Sequence, residues 1–290
     1  MHVTCAHCQT GYRIAAEKLT REINRVRCSR CHYVFFVPRP HGAVPQLDRA
    51  PSQSESAGVV AVSNQKGGVA KTSTCLNLGV SLARLGRRVL LVDFDPQANL
   101  TLALGYRDMP SFFESIYRPD AVAEIVTPTR FENLHLLPSG ESLERFERQF
   151  GVKSGFERML RDRLLPLRQA YDFVLIDTPP SMGICTRSAL HASGLVLVPT
   201  LCEYFSTYGV HRIQKAIEAV RLKSTSTLDC RILVVQYDAE DPSQRVVFTK
   251  LTEGFREKRY RTVIPYDVKM KESQILKQPV IEYDTASPSG

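Results

Sequence analysis

Six short, almost continuously apolar runs recur in the sequence and constrain its fold more than any other feature. They lie at 58–63, 88–93, 173–177, 195–199, 232–236 and 262–265. Rich in Val, Ile and Leu, they are too apolar for strands with one solvated face. Helical patterns separate them, at 72–85, 142–170, 207–223 and 244–258. The alternation predicts an α/β fold with a mostly parallel sheet covered by helices on both faces.

Composition divides the chain into unequal parts. Its 290 residues and 43% hydrophobic content support one sizeable core with residues to spare. The stretch 38–57 contains four prolines, several serines and no hydrophobic periodicity, which is typical of a flexible linker. We therefore expect a small module at 1–37, a linker at 38–57, the α/β domain at 58–285 and a disordered tail at 286–290.

Positive charge is concentrated at the start of the sequence. The formal net charge is +8, and residues 1–50 hold eight Lys and Arg against three Asp and Glu. Such clustering fits a nucleic-acid partner, an acidic protein or a plain solvated face equally well. No apolar run approaches the roughly 18 residues of a membrane span, and the first residues lack the apolar core of a signal peptide. We expect a cytoplasmic protein that does not bind membranes.

The segment 65–74, QKGGVAKTST, follows the first apolar run and opens the first helical pattern. A glycine-rich turn at that point lets backbone N–H groups at a helix start face phosphate oxygens. The glycines allow close approach, the lysine side chain reaches the terminal phosphates, and the threonine hydroxyl joins Mg²⁺. The predicted phosphate-binding residues are Gly67, Gly68, Val69, Ala70, Lys71, Thr72 and Ser73.

A second lysine immediately before the glycines makes the motif more specific. The string K-G-G-x-x-K-[ST], from Lys66 to Thr72, resembles the deviant Walker motif of the ParA/MinD ATPases, a family of P-loop NTPases. The resemblance covers 58–284 and implies an ATP-bound homodimer. In it Lys71 lies beneath the subunit's own ATP, and Lys66 crosses to the ATP of the other subunit. The family more often has glycine at the position of Ala70, whose methyl group fits if residue 70 keeps a helical backbone.

Two acidic segments follow apolar runs at positions where the family has catalytic machinery. By resemblance, Asp95 positions or polarises the attacking water, so that it joins Lys66 and Lys71 as a catalytic residue. The neighbouring Asp93 is expected to organise the loop. Asp177 ends the third run and is expected to hold Mg²⁺ through water, with Thr72 as the other magnesium residue.

The stretch 263–273, VIPYDVKMKES, resembles the family segment that borders the nucleotide base. The resemblance implies that Pro265 and Asp267 lie on the adenine side of the site. The family usually has Arg-Asn at the two positions occupied here by Tyr266 and Asp267.

Four of the eight cysteines form two C-x2-C pairs: Cys5, Cys8, Cys28 and Cys31. Nineteen residues separate the pairs, which suits one tetrahedral Zn²⁺ with four thiolate ligands. Four ligands leave no open position for a reacting water, so we expect a structural zinc that folds a module similar to small zinc ribbons. A rubredoxin-like iron site, or His7 or His32 as a ligand, is the alternative. The remaining cysteines are expected to be buried apolar residues: Cys75, Cys185, Cys202 and Cys230.

The resemblance implies a positioning ATPase with weak basal hydrolysis. Its ATP-bound dimer binds DNA without sequence preference, associates with the nucleoid, and is released when a ParB-like or cargo-adaptor protein stimulates hydrolysis. The cargo would be a chromosome, a plasmid or another large assembly. Candidate phosphate-binding cations are Arg245, Lys250, Arg256, Lys258, Arg259, Arg261, Lys269, Lys271 and Lys277. Glu240 stands where the family often has arginine, which directs DNA binding to other residues or to the zinc module.

Three other functions stay open at the level of sequence. A MinD-like membrane ATPase needs an amphipathic helix near its C-terminus, and 280–290 has no apolar face. An iron–sulfur carrier needs paired cysteines in the α/β domain, where they occur singly. A zinc-ribbon regulator would use the ATPase domain only as a nucleotide switch.

Overall fold

A computed structural model describes most of the chain. The described residues are 2–4, 10–15, 23–32, 34–38, 57–116, 118, 121–151, 155–223 and 227–289. The chain divides into two compact units, Met1–Asp48 and Arg49–Gly290. Most of the expected linker, 39–56, lies outside the described residues. Ala57 is buried and hydrogen-bonded to the Arg168 carbonyl, so it belongs to the large unit.

The small unit contains two antiparallel two-stranded ribbons, β1 with β2 and β3 with β4. Their bounds are β1 His2–Thr4, β2 Gly11–Arg13, β3 Ile23–Arg27 and β4 Val34–Pro38. The connection from β3 to β4 carries Cys28 and Cys31. Ribbons of this length bury little apolar surface, and small domains of this kind are usually stabilised by a metal or disulfides.

The large unit is built on an eight-stranded sheet in the order β12-β11-β10-β5-β9-β6-β8-β7. All neighbours are parallel except β7 and β8, which confirms the predicted mostly parallel sheet. The strands are β5 Gly58–Val62, β6 Val89–Asp93, β7 Thr127–Pro128, β8 Leu134–Leu137, β9 Phe173–Asp177, β10 Leu195–Thr200, β11 Asp229–Tyr237 and β12 Arg259–Pro265. The central position of β5 places the loop that follows it in the middle of one sheet edge.

Helices occupy the connections between the strands. They are α1 Lys71–Arg84, α2 Asn99–Ala103, α3 Ala121–Ile125, α4 Ser142–Phe150, α5 Met159–Leu164, α6 Ile184–Ala192, α7 Ser206–Lys223, α8 Pro242–Phe255, α9 Val268–Ile275 and α10 Val280–Tyr283. Short 3-10 turns lie at Phe112–Ser115, Phe156–Arg158 and Leu165–Leu167. Side chains of β10 alternate between two apolar clusters, because Val196 and Val198 pack with α6 and α7 whereas Leu197 packs with α1. The sheet is therefore covered on both faces, as predicted.

Two local predictions were wrong or incomplete. The helical pattern at 142–170 is not one helix, because α4 ends at Phe150 and a turn with Gly155 at φ 93° precedes the 3-10 turn and α5. Pro166 then lies in another 3-10 turn. The strands β7 and β8 were not predicted, although the four residues of β8 are all buried. A four-residue apolar run is too short to distinguish from part of a helix by periodicity.

The four single cysteines are buried, as predicted. Cys75, Cys185, Cys202 and Cys230 are each at most 3% exposed and form no disulfide. Burial raises the pKa of all four thiols, which keeps them protonated. These four side chains contribute apolar volume to the core, and they do not support a redox or iron–sulfur function.

Candidate functional site

The loop between β5 and α1 has an unusual backbone. Gly68 has φ 72°, and Ala70 has φ 58° and ψ 31°, so both lie in the left-handed region. The condition under which the Ala70 methyl group fits, an ordinary helical backbone, is therefore not met, and the methyl group stands in a conformation that favours glycine. Ala70 is also the residue before α1 and offers no side-chain acceptor to the helix. The first N–H groups of α1 are thus not capped by a side chain at that position.

Lys71 opens α1 and turns its side chain into this loop. Its ammonium group donates a hydrogen bond to the backbone carbonyl of Lys66 at 2.9 Å, and the residue is only 8% exposed. Burial lowers the pKa of Lys71, and the nearby Asp177 and Asp95 carboxylates oppose that shift. Among the described residues, a backbone carbonyl is the one hydrogen-bond partner of this buried ammonium group, which is therefore suited to bind an anion.

Asp177 lies at the end of β9, directly beside the ends of β5 and β6. Its carboxylate accepts a hydrogen bond from the Thr72 hydroxyl at 2.6 Å, and its buried Oδ1 atom has no hydrogen-bond partner among the described residues. Burial raises the pKa of Asp177 well above its usual range, and the carboxylate of Asp93 on the neighbouring strand raises it further. The unpaired oxygen and the adjacent hydroxyl are hard oxygen ligands, and they fit an octahedral Mg²⁺ held partly through water.

Asp93 and Asp95 have different surroundings although they are two residues apart. The Asp93 carboxylate accepts hydrogen bonds from the Thr101 backbone and hydroxyl, at 2.7 and 2.6 Å, and from the Asp95 N–H at 3.3 Å. It therefore holds the loop after β6 together. Burial raises its pKa to about 6, against these hydrogen bonds. Among the described residues, the Asp95 carboxylate accepts from the Gln97 N–H alone, at 2.9 Å, and burial raises the pKa of Asp95 as well.

The phosphate loop and Asp95 line one cavity of about 620 Å³, and the buried Asp93 and Asp177 lie behind its wall. Its walls include the whole stretch from Gly67 to Ser73, together with Asp95 and Gln97. Pro265 and Asp267 instead line a second, mainly apolar cavity of about 570 Å³ that shares Ala70, Ser73, Asn77, Gln236 and Gln274 with the first. A cavity lined by a lysine, hydroxyls and a carboxylate, beside a mainly apolar one, matches the two halves of a nucleotide, its phosphates and its base.

Asp267 has a structural role that the sequence did not reveal. Its carboxylate caps α9 by accepting from the Lys269 N–H at 2.8 Å, and it also accepts from the hydroxyls of Ser287 and Ser289. Both serines are buried, so the stretch 286–289 forms hydrogen-bonded turns. The prediction of a disordered tail was wrong for these residues, because the carboxylate of Asp267 supplies hydrogen-bond acceptors that a composition argument cannot foresee.

Gln236 is a residue of the two cavities that sequence reasoning missed. It lies near the end of β11 with φ 54° and takes part in both cavity walls. A non-glycine residue in the left-handed region within a strand marks an irregularity, and the register between β11 and β12 shifts there. No pattern in the sequence signals this bulge.

Lys66 points to the start of the β10–α7 connection. Its ammonium group forms an ion pair with the Glu203 carboxylate, and its backbone N–H donates to the Asn64 side chain at 3.1 Å. The Asn64 amide donates in turn to the Pro199 carbonyl at 2.8 Å. The two lysines of the loop thus have separate partners: Lys71 faces the cavity, and Lys66 faces the connection after β10.

The cysteine pair in the small unit has the features of a metal knuckle. The Cys31 N–H donates to the Cys28 sulfur at 3.4 Å, and the Tyr12 hydroxyl lies 2.9 Å from the same sulfur. Burial acts to raise the pKa of Cys28, but these hydrogen bonds outweigh it and the pKa is lowered to about 5. A sulfur atom stabilised as thiolate fits a Zn²⁺ ligand. Cys5 and Cys8, the other two predicted ligands, lie outside the described residues.

Comparison with known proteins gives the family. Residues 57–230 match the model of a family described as an AAA domain, and residues 1–36 match a zinc-ribbon domain. The sporulation initiation inhibitor protein Soj of Bacillus subtilis is 37% identical over 233 residues, which cover 79% of this chain and 92% of Soj. The chain belongs to the ParA/MinD family. The match confirms the predicted family, and the sheet and loop described above are its P-loop NTPase fold.

Another relative and a solved structure align over similar lengths. The chromosome partitioning protein ParA of Myxococcus xanthus is 33% identical over 233 residues, which cover 79% of this chain and 82% of that protein. A crystal structure of cobyrinic acid a,c-diamide synthase from Mycobacterium smegmatis, with bound ATP analogue and magnesium, is 34% identical. It superposes with a TM-score of 0.67 and covers 78% of this chain and 91% of that chain. Within the described residues, no helix of this ParA/MinD chain has the length and apolar character to cross a membrane.

Proposed function

We propose that the chain is a ParA-type ATP hydrolase that dimerises with ATP, binds DNA without sequence preference and releases it after hydrolysis. The observation that carries this proposal is that Lys71, Thr72 and Asp95 line one cavity at the start of α1. The buried Asp177 carboxylate joins them through its hydrogen bond from the Thr72 hydroxyl. A buried cation, a hydroxyl paired with a carboxylate, and a second carboxylate are the groups that phosphoryl transfer to water requires.

Each group has one role in the proposed reaction. The N–H groups of the 67–73 loop and the Lys71 ammonium bind the β- and γ-phosphates and neutralise their charge. Thr72 and Asp177 hold Mg²⁺, which supplies further charge neutralisation at the phosphate oxygens when bound. Asp95 orients the attacking water in line with the bond that breaks, between the γ-phosphorus and the leaving oxygen of ADP. The base packs between Pro265 and the apolar wall of the second cavity.

Lys66 is proposed to act on the ATP of a second subunit. It cannot serve its own cavity in the conformation described, because its ammonium group is paired with Glu203. The deviant Walker motif supports a role for Lys66 across a homodimer interface. Partner proteins that stimulate hydrolysis, such as a ParB-like protein or a cargo adaptor, would act on this ATP-bound dimer.

The cations considered as contacts for DNA phosphates differ in their protein partners and in the exposure of their side chains. Arg259 donates to the Tyr260 carbonyl and lies over the Phe248 ring, and Lys269 is paired with Glu272. Both side chains are also only partly exposed, whereas the other seven candidate cations are exposed, so we propose these seven as the contacts: Arg245, Lys250, Arg256, Lys258, Arg261, Lys271 and Lys277. Glu240 is exposed in the turn before α8 and is expected to oppose phosphate binding there.

The zinc ribbon is proposed to hold one Zn²⁺ through Cys5, Cys8, Cys28 and Cys31, with a structural function. The metal would supply the cross-link that two short ribbons lack. Zinc content per chain, measured on wild-type protein and on Cys28→Ser, tests it. One zinc per wild-type chain and none in the variant supports the site, and equal content in both contradicts it.

The ATPase proposal is tested by ATP affinity, mass and DNA binding measured on the same preparations. Light scattering with Mg²⁺ and ATP should show a mass shift from one chain to two, and DNA binding should require ATP and weaken steeply with salt. Lys71→Ala should lose all three properties. Retention of wild-type ATP affinity by Lys71→Ala, together with the absence of any ATP-dependent mass change in the wild type, would reject the proposal.

A further inference from the structure

The Tyr12 side chain on β2 contacts the loop that carries Cys28 and Cys31. Its hydroxyl lies 2.9 Å from the Cys28 sulfur and 3.1 Å from the Ser29 hydroxyl, and it accepts a hydrogen bond from the Ser29 N–H at 3.1 Å. The strand β2 pairs with β1, whereas this loop connects the two strands of the other ribbon. The Tyr12 hydroxyl therefore joins the two ribbons of the small unit.

The hydrogen bond between Tyr12 and Cys28 has one possible direction when the sulfur is a metal ligand. A cysteine binds Zn²⁺ as a thiolate and then has no proton to donate. The Tyr12 oxygen already accepts the Ser29 N–H, and the Ser29 hydroxyl can rotate to donate to it as well. The proton of the Tyr12 hydroxyl is thus donated to the Cys28 sulfur, which also accepts the Cys31 N–H at 3.4 Å.

Burial gives this hydrogen bond more weight than it would have in water. Cys28 is 0% exposed, whereas Cys31 is partly exposed. Water cannot reach the Cys28 sulfur, so the protein has to supply the donors that stabilise its negative charge. A hydrogen bond to an ionised acceptor is about twice as strong as one between neutral groups, and a buried position strengthens it further. Partners of this kind orient a metal ligand and tune the metal that it holds.

We propose that Tyr12 is a positioning residue for the zinc site, because its hydroxyl donates to the Cys28 thiolate and holds that ligand against the other ribbon. This rests on the proposed zinc site. Four thiolates around one dication leave an excess of negative charge, which a donated hydrogen bond stabilises. In the sequence, Cys5 and Cys8 fall between β1 and β2. A bond from β2 to Cys28 therefore links the two segments that supply the ligands.

The first test is the zinc affinity of full-length Tyr12→Phe, which loses only the hydroxyl, with Ser29→Ala as matched control. Ser29→Ala also loses a hydroxyl that contacts the phenol, but it keeps Tyr12 and the Ser29 N–H. In competition with a chelator, Tyr12→Phe should bind Zn²⁺ about 10- to 100-fold more weakly, and Ser29→Ala should bind it like the wild type. Wild-type affinity of Tyr12→Phe, or an equal loss in Ser29→Ala, would overturn the proposal. A wild-type protein that binds no Zn²⁺ would instead reject the proposed zinc site itself.

The second test separates a hydrogen bond to sulfur from a general structural effect of the hydroxyl. In Co²⁺-substituted protein, absorption of light transfers an electron from thiolate sulfur to the metal. A hydrogen bond to the sulfur raises the energy of this transition because it stabilises the sulfur electrons. The charge-transfer band of Tyr12→Phe should therefore lie at longer wavelength than that of the wild type, and Ser29→Ala should leave it in place. An unshifted band in Tyr12→Phe, with the spectrum of a four-coordinate site intact, would contradict the bond to Cys28.

A stronger donor at the same position gives a check that does not depend on removing the hydroxyl. Fluorotyrosine in place of Tyr12 keeps the shape of the side chain and makes its hydroxyl more acidic, so the hydrogen bond to the thiolate should strengthen. The charge-transfer band should then move to shorter wavelength, opposite to the shift of Tyr12→Phe. A band that stays in place or moves to longer wavelength would overturn the proposal even if Tyr12→Phe fails to fold.

Discussion

The ammonium group of Lys71 is hydrogen-bonded to the backbone carbonyl of Lys66, 2.9 Å away, inside the same loop. The loop thus holds its own cation in place where phosphate oxygens are proposed to bind. Because burial lowers the pKa of Lys71, the charged group lowers the stability of the nucleotide-free protein. Function and stability make opposite demands on this residue.

Lys71→Met is expected to raise the melting temperature of the nucleotide-free protein and to abolish tight ATP binding. The substitution removes a buried charge and keeps the length of the side chain. It also removes a charge-assisted contact to phosphate, so ATP affinity should fall by about 100-fold or more. Thermal unfolding with and without Mg²⁺ and ATP measures both effects. A lower melting temperature without nucleotide would contradict the assigned cost of burial.

Two alanines in left-handed conformations are expected to be improved by glycine. Ala70 has φ 58° and Ala98, before α2, has φ 53°. Each pays roughly 1–2 kcal/mol for its Cβ atom, so Ala70→Gly and Ala98→Gly should each raise the free energy of unfolding by about 1 kcal/mol. Ala83→Gly, inside α1, should lower it by a similar amount. Chemical denaturation gives the free energy of unfolding of the three variants. A lower value for Ala70→Gly than for the wild type would exclude backbone strain at that position.

The stability of the nucleotide-free protein should decrease between acidic and neutral pH through Asp93. Its pKa rises from 3.8 to about 6 on folding, chiefly by burial, so its contribution is complete below pH 3.8 and is lost as the pH passes about 6. Asp93→Asn removes this dependence. Between about pH 4.5 and about pH 7.5, the variant should lose roughly 2 kcal/mol less unfolding free energy than the wild type. Parallel curves for the two proteins would show that Asp93 does not titrate in this range.

Asp95 and Asp177 are expected to fail in different ways when each is replaced by asparagine. Asp95→Asn keeps the acceptor for the Gln97 N–H, so it should bind Mg²⁺ and ATP normally and hydrolyse ATP about 100-fold more slowly or worse. Asp177→Asn should instead lose the dependence of ATP affinity on Mg²⁺. ATP affinity measured with Mg²⁺ and with EDTA, together with the rate of phosphate release, distinguishes the two defects. If the ATP affinity of Asp177→Asn still depends on Mg²⁺, Asp177 is not the residue that holds the metal.

Asp267→Ala should destabilise the protein more than the equivalent loss of a helix cap elsewhere. Asp241 caps α8 through the Ser243 and Gln244 N–H groups, and Asp241→Ala should cost about 1 kcal/mol. Asp267 caps α9 and in addition holds Ser287 and Ser289, so Asp267→Ala should cost at least about 1 kcal/mol more. Urea denaturation compares them. Equal losses would indicate that the two serine hydrogen bonds contribute no net stability.

The sequence predicted those parts of the protein whose cause is local or periodic. Apolar runs located six of the seven parallel strands and missed β8, since strands buried on both faces carry few polar residues, and the glycine-lysine motif located the loop after β5. The failures have a tertiary cause. Residue 70 has a left-handed backbone directly before α1, and Gln236 has one where the register of β11 against β12 shifts. The contact of Asp267 with Ser287 and Ser289 depends on chain segments about twenty residues apart meeting, which no local pattern encodes.

The carboxylates of Asp93 and Asp177 lie side by side on adjacent strands, and only one of them has several donors around it. Without a cation, two ionised carboxylates in this arrangement repel each other. Any divalent cation that binds there relieves the repulsion, and ATP hydrolysis is not needed for this effect. The melting temperature of the protein, measured with each of a series of divalent salts, should therefore rise most with the ion that the site binds most tightly.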